Sequence, residues 1–441
     1  MIEPAALLRV LALQDYNTRV VVAAAALLGL AAGLVGSLML LRKRALLGDA
    51  ISHATLPGIA LAFIVMGAAG GTGKWLPGLL LGGALTGLLG MGFVLLLRAQ
   101  TRLKEDAALG LVLSVFFGGG VALLGVIQKM KQGHAAGLES FIYGKTASML
   151  VADAWLMAGV ALLASALCGL LFKEFGLLCF DTAFARALGW RTAWLDALLM
   201  GLVVVVTVAG LQAVGLILVL ALLVIPPAAA RFWTQRMGPL QVIAGLLGAA
   251  SGYAGASLSA LLPRWPAGAV IVLVAFLFFL VSLLFGRERG LWRTLRERRA
   301  LTRSVARQHL LRALFELQEG ARPDGPPPAA TWSALLARRS WTPRALRRTV
   351  RRAAREQEVY RDAQGGLCLT PEGWAEARRL VRNHRLWEIY LITHADIAPS
   401  HVDRDADQIE HVLGRGLVAQ LEQLLERAPV PGLPPSPHPL P

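Results

Sequence analysis

The sequence predicts two kinds of structure in succession: an all-α polytopic membrane domain, then a mainly α winged-helix domain. Hydrophobic residues make up 56% of the 441 residues, more than a soluble chain of this length usually carries. Apolar runs of roughly 17–25 residues, long enough to cross a ~30 Å hydrocarbon core, lie between residues 19 and 286. From Arg287 onward these runs end, and the rest of the chain holds 26 Arg, no Lys and 18 Asp plus Glu.

Eight apolar runs are candidate membrane spans. They cover residues 19–41, 50–69, 76–97, 106–127, 150–172, 196–232, 239–262 and 267–286. The run 196–232 would extend ~55 Å as a single helix, too long for one bilayer. Gly210, Gln212 and Gly215 offer a break within residues 209–215. We therefore predict about nine crossings, one or two of them short or discontinuous.

Charge in the loops predicts the orientation. Basic residues follow the first, third and fifth runs: Arg42, Lys43, Arg44, Arg98, Arg102, Lys104, Lys173, Arg186 and Arg191. By the positive-inside rule these loops are cytoplasmic, which places the N-terminus outside and, with the long run divided, the arginine-rich tail inside. The loop 128–149 is an exception, because it carries three lysines although the alternation puts it outside.

Two ionisable residues lie at the start of the second run, Asp49 directly before it and His53 inside it. Four residues apart, they share one face of a helix. Such groups cost at least ~2.5–3.5 kcal/mol at the centre of a membrane helix. One interpretation is structural, with a capping aspartate and a histidine that bonds to a neighbouring helix. The other is a transient site for a divalent cation, because carboxylate suits Mn²⁺ and imidazole suits Zn²⁺, Fe²⁺ and Mn²⁺.

Residues 42–63, RKRALLGDAISHATLPGIALAF, resemble the signature of permease subunits of ATP-binding-cassette importers for manganese, zinc and iron. The resemblance covers residues 15–286, with further matching blocks at 101–125, 139–146, 180–196 and 210–233. It implies a type II importer-like fold in a bacterial inner membrane and a homodimeric or paired permease. It also implies a separate ATPase subunit and an extracytoplasmic metal-binding protein. In this family Asp49 and His53 match the pair that meets the metal.

The chain contains no Walker A motif, so we expect ATP hydrolysis on another subunit and no enzyme activity here. The loop 173–195 contains DTAFARALG, in which Asp181 is a good helix N-cap and Gly189 a good C-terminal stop. Taken alone, this segment is a solvated loop. The resemblance implies that this segment is the coupling helix that docks into the ATPase. The residues implied in this coupling are Asp181, Ala185, Arg186 and Gly189.

Composition and motifs divide the chain into four predicted parts. The predicted parts are a permease domain (1–286), a cytoplasmic connector helix (287–300), a winged helix-turn-helix domain (301–370) and a metalloregulator-like dimerisation region (371–441). Thr342 and Pro343 begin a basic helix, and Gln364-Gly365-Gly366 predicts the turn of a wing hairpin. Candidate contacts to duplex DNA are Thr342, Arg344, Arg347, Arg348 and Arg351. A solvated helix, or one against anionic lipid, is the alternative.

The last part of the tail resembles the metal-sensing and dimerisation region of the diphtheria toxin repressor/MntR family. Carboxylates and imidazoles suited to Mn²⁺ or Fe²⁺ recur there at helical spacing: His384, Glu388, Asp403, Asp407, Glu410 and His411. The family also takes ligands from its first helix, where this chain has Gln308 and Leu311, with His309 out of register. Three roles therefore remain for the tail: a metal-responsive DNA-binding domain, a metal-sensing gate that never binds DNA, and a repressor released by proteolysis.

The three cysteines, Cys168, Cys179 and Cys368, have no CxxC or zinc-site spacing. They indicate neither a disulfide framework nor a thiolate site. The apolar run near Thr18 is too long for a cleavable signal sequence, so we expect none.

Overall fold

The structure, a computed structural model, describes residues 14–44, 47–69, 75–130, 146, 149–262, 265–318, 329–338 and 341–394, with side chains of the last helix described as far as Arg385. The chain forms two compact units, Met1–Thr294 and Leu295–Pro441.

The first unit is a bundle of helices. In chain order they are α1 (Tyr16–Leu41), α2 (Leu47–Ala68), α3 (Leu76–Gln100), α4 (Glu105–Lys129), α5 (Val151–Leu170), α6 (Phe172–Phe180), α7 (Thr182–Ala187), α8 (Thr192–Val214), α9 (Leu216–Ala230), α10 (Met237–Leu261) and α11 (Ala267–Phe285). Among the described residues, eight of these helices are long and apolar enough to cross a membrane, and α9 is a shorter apolar helix. The prediction of an all-α polytopic domain is confirmed, and these helices are consistent with about nine crossings.

The predicted break in the long apolar run lies at Gly215. This residue separates α8 from α9 and has φ +84° and ψ 169°. That backbone conformation is essentially restricted to glycine, because a Cβ would clash with the neighbouring backbone. Gly210 and Gln212, the other residues considered for the break, lie within α8.

Small residues bring α1 and α10 into close backbone contact. A Cβ on Gly29 would lie 2.1 Å from the carbonyl oxygen of Gly248, and a Cβ on Gly248 would lie 2.0 Å from that of Gly29. One turn away, a Cβ on Gly33 would lie 2.2 Å from the carbonyl oxygen of Ala244. Contacts of this kind let membrane helices gain dispersion energy where lipid provides no hydrophobic driving force.

The second unit has the element order of a winged helix. Its elements are α12 (Leu291–Gln318), α13 (Trp332–Arg338), α14 (Pro343–Arg355), β1 (Val359–Arg361), β2 (Leu367–Leu369) and α15 (Pro371–His394). Residues 291–300 of the predicted connector and the helix predicted after it form the single helix α12, whereas residues 287–290 precede it. Residues 291–318 contain no Gly or Pro that would interrupt it.

The predicted hairpin and caps are present. β1 and β2 pair antiparallel with Val359 opposite Leu369. In the turn, Asp362 Oδ1 accepts the N–H groups of Gln364 and Gly366 at 3.0 and 2.6 Å. At the start of α14, Thr342 Oγ1 accepts the N–H of residue 345 at 3.3 Å.

An ion pair joins α12 to the start of the wing. Arg307 Nε donates to Glu358 Oε2 at 2.8 Å, and its Nη2 donates to the other carboxylate oxygen. These hydrogen bonds raise the pKa of the Arg307 guanidinium above its ordinary value. Below the pair lies an apolar core that includes Leu310 and Leu314 of α12 and Leu346 of α14.

Candidate metal pathway, coupling surface and tail

The structure brings Asp49 and His53 together in the first two turns of α2. Asp49 Oδ1 lies 3.4 Å from His53 Nε2, and the side chains are 40% and 19% exposed. The positive end of the helix dipole stabilises a carboxylate at this position, so Asp49 has support from the helix itself.

The two ring nitrogens of His53 differ in their surroundings. The Nδ1 atom is buried and has no hydrogen-bond partner among the described residues. With Asp49 Oδ1 and His53 Nε2 only 3.4 Å apart, the carboxylate and this nitrogen can bind one ion when the ring proton is on Nδ1. Pro57 has no N–H for the carbonyl of His53 four residues earlier, which leaves that oxygen without its helical donor. The ring of Phe117 stands edge-on to the imidazole at a centroid distance of 4.7 Å.

A metal held here would have few protein ligands. No group of three His, Cys, Asp or Glu side chains within the described ranges could hold a metal ion. A pathway site must also release its ion, so a sparse ligand set suits transport. On α6, burial raises the pKa of the Cys179 thiol to about 11, which keeps it protonated and a poor metal ligand at neutral pH.

Directly before α2, two of the predicted loop arginines form an ion-pair network. Arg42 Nη2 and Arg44 Nη1 donate to Asp196 Oδ1 at 2.9 and 2.8 Å. Arg42 Nη1 also donates to the carbonyl of Leu178 at 2.6 Å. The network ties the end of α1 to α6 and to the start of α8. Asp196 is not among the residues predicted from the sequence. Its only distinguishing feature there is its position at the start of the sixth apolar run.

α7 presents a short exposed surface between α6 and α8. Asp181 Oδ1 accepts the N–H of Phe184 at 2.8 Å, and Gly189 at φ +85° ends the segment. Phe184 and Leu188 are 52% and 55% exposed. The four residues predicted to couple to an ATPase are in or beside this helix: Asp181, Ala185, Arg186 and Gly189. Ala185 is fully buried, whereas Arg186 is exposed and its Nε donates to the carbonyl of residue 182 at 3.2 Å.

The five predicted DNA contacts all lie on the exposed side of α14: Thr342, Arg344, Arg347, Arg348 and Arg351. The opposite side is buried through Leu346 and Val350. A shallow cavity of about 510 Å³ is lined by Arg303, Arg348, Arg351, Arg352, Arg355 and Glu356. This concentration of guanidinium groups suits a polyanion.

Of the six metal ligands predicted in the tail, His384 is the one whose side chain lies within the described residues. Arg312 Nη1 lies 3.0 Å from His384 Nδ1. Because a guanidinium can only donate, His384 Nδ1 is the acceptor and a neutral ring then carries its proton on Nε2. Leu311 is fully buried in the apolar core. The Glu388 side chain and residues Asp403, Asp407, Glu410 and His411 lie outside the described residues.

Comparison with known families identifies the membrane unit. Residues 14–286 match the ABC 3 transport family. The chain belongs to this family. Residues 370–430 match a second family, the iron dependent repressor, metal binding and dimerisation domain. This ABC 3 chain is therefore a multi-pass membrane protein with a regulator-like C-terminal region, as the sequence predicted.

Relatives of this ABC 3 chain are membrane components of transport systems. It is 38% identical over 395 residues to the manganese transport system membrane protein MntC of Bacillus subtilis, across 90% of this chain and 88% of the relative. It is 43% identical over 283 residues to the zinc transport system membrane protein TroC of Treponema pallidum, across 63% and 93%. Among solved structures, PsaBC from Streptococcus pneumoniae in complex with Fab matches with a TM-score of 0.54 and 29% identity, across 62% and 94%.

Proposed function

We propose that this chain is the permease subunit of an ATP-binding-cassette importer that moves a divalent transition metal into the bacterial cytoplasm. Membership of the ABC 3 family and the manganese and zinc systems of its relatives support this assignment. The observation that carries it is the Asp49–His53 pair in an otherwise apolar helix. Mn²⁺, Fe²⁺ and Zn²⁺ all accept this carboxylate and imidazole.

The proposal assigns the other tasks to partners. A separate ATPase subunit hydrolyses ATP and docks on α7, where Phe184 and Leu188 offer exposed apolar surface. An extracytoplasmic metal-binding protein delivers the ion. A second permease chain, identical or related, completes the pathway, and the tail lies on the cytoplasmic side of the inner membrane.

The test is metal accumulation, measured by elemental analysis in cells that depend on this importer. Asp49→Ala and His53→Ala should each abolish uptake, because each removes a ligand, while the amount of assembled complex stays normal. Ser52→Ala is the matched control. Ser52 lies between the two residues and is fully buried, and its hydroxyl donates to the carbonyl of Gly48 at 2.8 Å. Near-normal uptake in both Asp49→Ala and His53→Ala would contradict metal binding by this pair and support a structural role.

For the tail, the exposed arginines of α14 favour binding of duplex DNA. The alternative is a gating module that inhibits transport without DNA. A third possibility is a DNA-binding repressor freed by proteolysis. Since His384 already accepts a hydrogen bond from Arg312, the described part of the tail supports DNA binding more strongly than it supports metal sensing.

A further inference from the structure

Asp153 is the one buried carboxylate within the described part of the membrane unit, with 8% of its surface exposed. It lies in the first turn of α5. Oδ2 accepts the N–H of Leu150 at 2.9 Å, and Oδ1 accepts Nε2 of Gln212 at 3.0 Å. Across the described residues, Asp153 forms no ion pair with an Arg, Lys or His. A buried carboxylate without a cationic partner is costly, which makes it a candidate functional group.

Gln212 adds a second oxygen with no partner. The residue is 4% exposed, and its Oε1 has no hydrogen-bond partner among the described residues. Leaving a buried acceptor unsatisfied costs free energy unless something else binds to it. Because Nε2 of the same amide bonds to Asp153, Oε1 is held within a few ångström of the carboxylate.

The break at Gly215 leaves further carbonyl oxygens in the same turn of α8 without a helical hydrogen-bond donor. The N–H of Gly215 donates to the carbonyl of Leu211 at 3.0 Å. The next three carbonyls, of residues 212–214, accept no backbone N–H from the described residues, because α9 starts a new helix. These carbonyls form the negative end of the α8 dipole, which favours a cation. Transporters bind cations at such ends of discontinuous helices.

From these contacts we propose that Asp153, Gln212 Oε1 and the last carbonyls of α8 form a second, oxygen-lined binding site for the transported divalent cation. Gln212 and Asp196 are sixteen residues apart on α8, so the site lies ~24 Å from the Arg42–Asp196 network. If α7 faces the cytoplasm, this site is on the side from which the metal enters. All of its ligands are hard oxygens, which suit Mn²⁺ better than a softer ion.

This inference rests on the proposed import function and is tested in the full chain assembled with its ATPase. The measurement is uptake of Mn²⁺ against external concentration, together with uptake from an equimolar mixture of Mn²⁺ and Cd²⁺. Asp153→Asn should raise the half-saturating Mn²⁺ concentration at least about tenfold, the change that ~1.4 kcal/mol of binding produces. Asp153→Cys should shift uptake toward Cd²⁺, because thiolate prefers the softer ion.

Two controls separate binding from general damage. Asp106→Asn and Asp106→Cys alter an exposed carboxylate in the first turn of α4 and should leave both readouts unchanged. If the Asp153 variants fail to assemble, Gln212→Met keeps the length of the side chain and replaces Oε1 by a thioether. It should also favour Cd²⁺, whereas Gln241→Met on α10, at a residue 5% exposed, should not.

Normal half-saturation in Asp153→Asn with unchanged selectivity in Asp153→Cys would overturn the second site and leave a structural hydrogen bond. Unchanged selectivity in Gln212→Met would overturn it in the same way. If the Asp153 and Gln212 variants behave normally but Asp49→Ala still abolishes import, only the second site is contradicted and the proposed permease function is still supported.

Discussion

Gly215 separates two helices by adopting a backbone conformation that an L residue with a Cβ avoids, at a cost of ~1–3 kcal/mol. Gly215→Ala should therefore lower the midpoint of thermal unfolding of the detergent-solubilised protein and reduce metal uptake. The matched control is Gly201→Ala on α8, where a Cβ meets nothing within 4 Å. The control should be neutral or slightly stabilising, because alanine is the better helix former. Equal midpoints for the two variants would contradict the strained geometry.

The residues that sequence reasoning located and those it missed differ in sequence separation. Asp49 and His53 are four residues apart, so helical geometry alone brings them together. Asp153 and Gln212 are 59 residues apart and meet only when α5 packs on α8. The only sequence feature that indicates this pair is one acidic residue, Asp153, in an otherwise apolar run. The contact of Arg312 with His384 spans 72 residues and was equally invisible.

The α1–α10 contact is the element whose stability depends most directly on small side chains. Gly29→Leu should destabilise the membrane unit strongly, because the new Cβ would overlap the carbonyl of Gly248. Gly159→Leu on α5 is the control, since a Cβ there meets nothing within 4 Å. The measurement is the fraction of protein that stays monodisperse on size-exclusion chromatography after heating. A control that loses as much protein as Gly29→Leu would show that any leucine is harmful.

α7 should transmit ATPase movement to the permease. Arg186→Glu should uncouple ATP hydrolysis from uptake, since it reverses the charge on the exposed side of the helix. Gly189→Pro should do the same, because proline cannot adopt the φ of +85° that ends the segment. Lys173→Glu, an exposed charge reversal on α6, is the control. ATPase stimulation and uptake are measured together in reconstituted vesicles, and unchanged values in both α7 variants would make the segment passive.

Secondary structure was predictable wherever local chemistry decided it. Thr342 caps α14 and Gly365 turns the hairpin at φ +83°, each through contacts with residues two to four positions away. The ends of the membrane helices follow the limits of the apolar runs within a few residues. The continuity of α12 was missed, because the change from connector to domain was read from composition, whereas a helix ends only where Gly, Pro or a cap ends it.

On the scale of the whole molecule, the tail carries a cluster of exposed arginines on α14, for which we propose binding to duplex DNA. Arg348→Ala with Arg351→Ala in the full solubilised chain should weaken binding to duplex DNA. Each lost phosphate contact should lower the slope of log K against log salt by about 0.9. The control, Arg378→Ala with Arg379→Ala, removes two exposed charges from α15 outside the cavity. Binding is measured by fluorescence anisotropy over a range of salt, with and without Mn²⁺.

The outcomes divide the hypotheses for the tail. Absence of DNA binding at low salt would contradict the DNA-binding role and favour gating. Binding that is unchanged by Mn²⁺ would support DNA recognition without metal sensing, as the contact between Arg312 and His384 leads us to expect. Strengthening by Mn²⁺ would require ligands from residues 386–441, whose side chains lie outside the described residues.

The backbone at Gly215 also has a consequence for handedness. The mirror image of φ +84° and ψ 169° falls in the extended region that ordinary L residues occupy without strain. A D-alanine placed there by chemical ligation should therefore fit comfortably, although the L isomer does not. At this one position between α8 and α9, the protein would accept a building block of the opposite chirality, and the pair of isomers would separate the effect of backbone strain from that of an added methyl group.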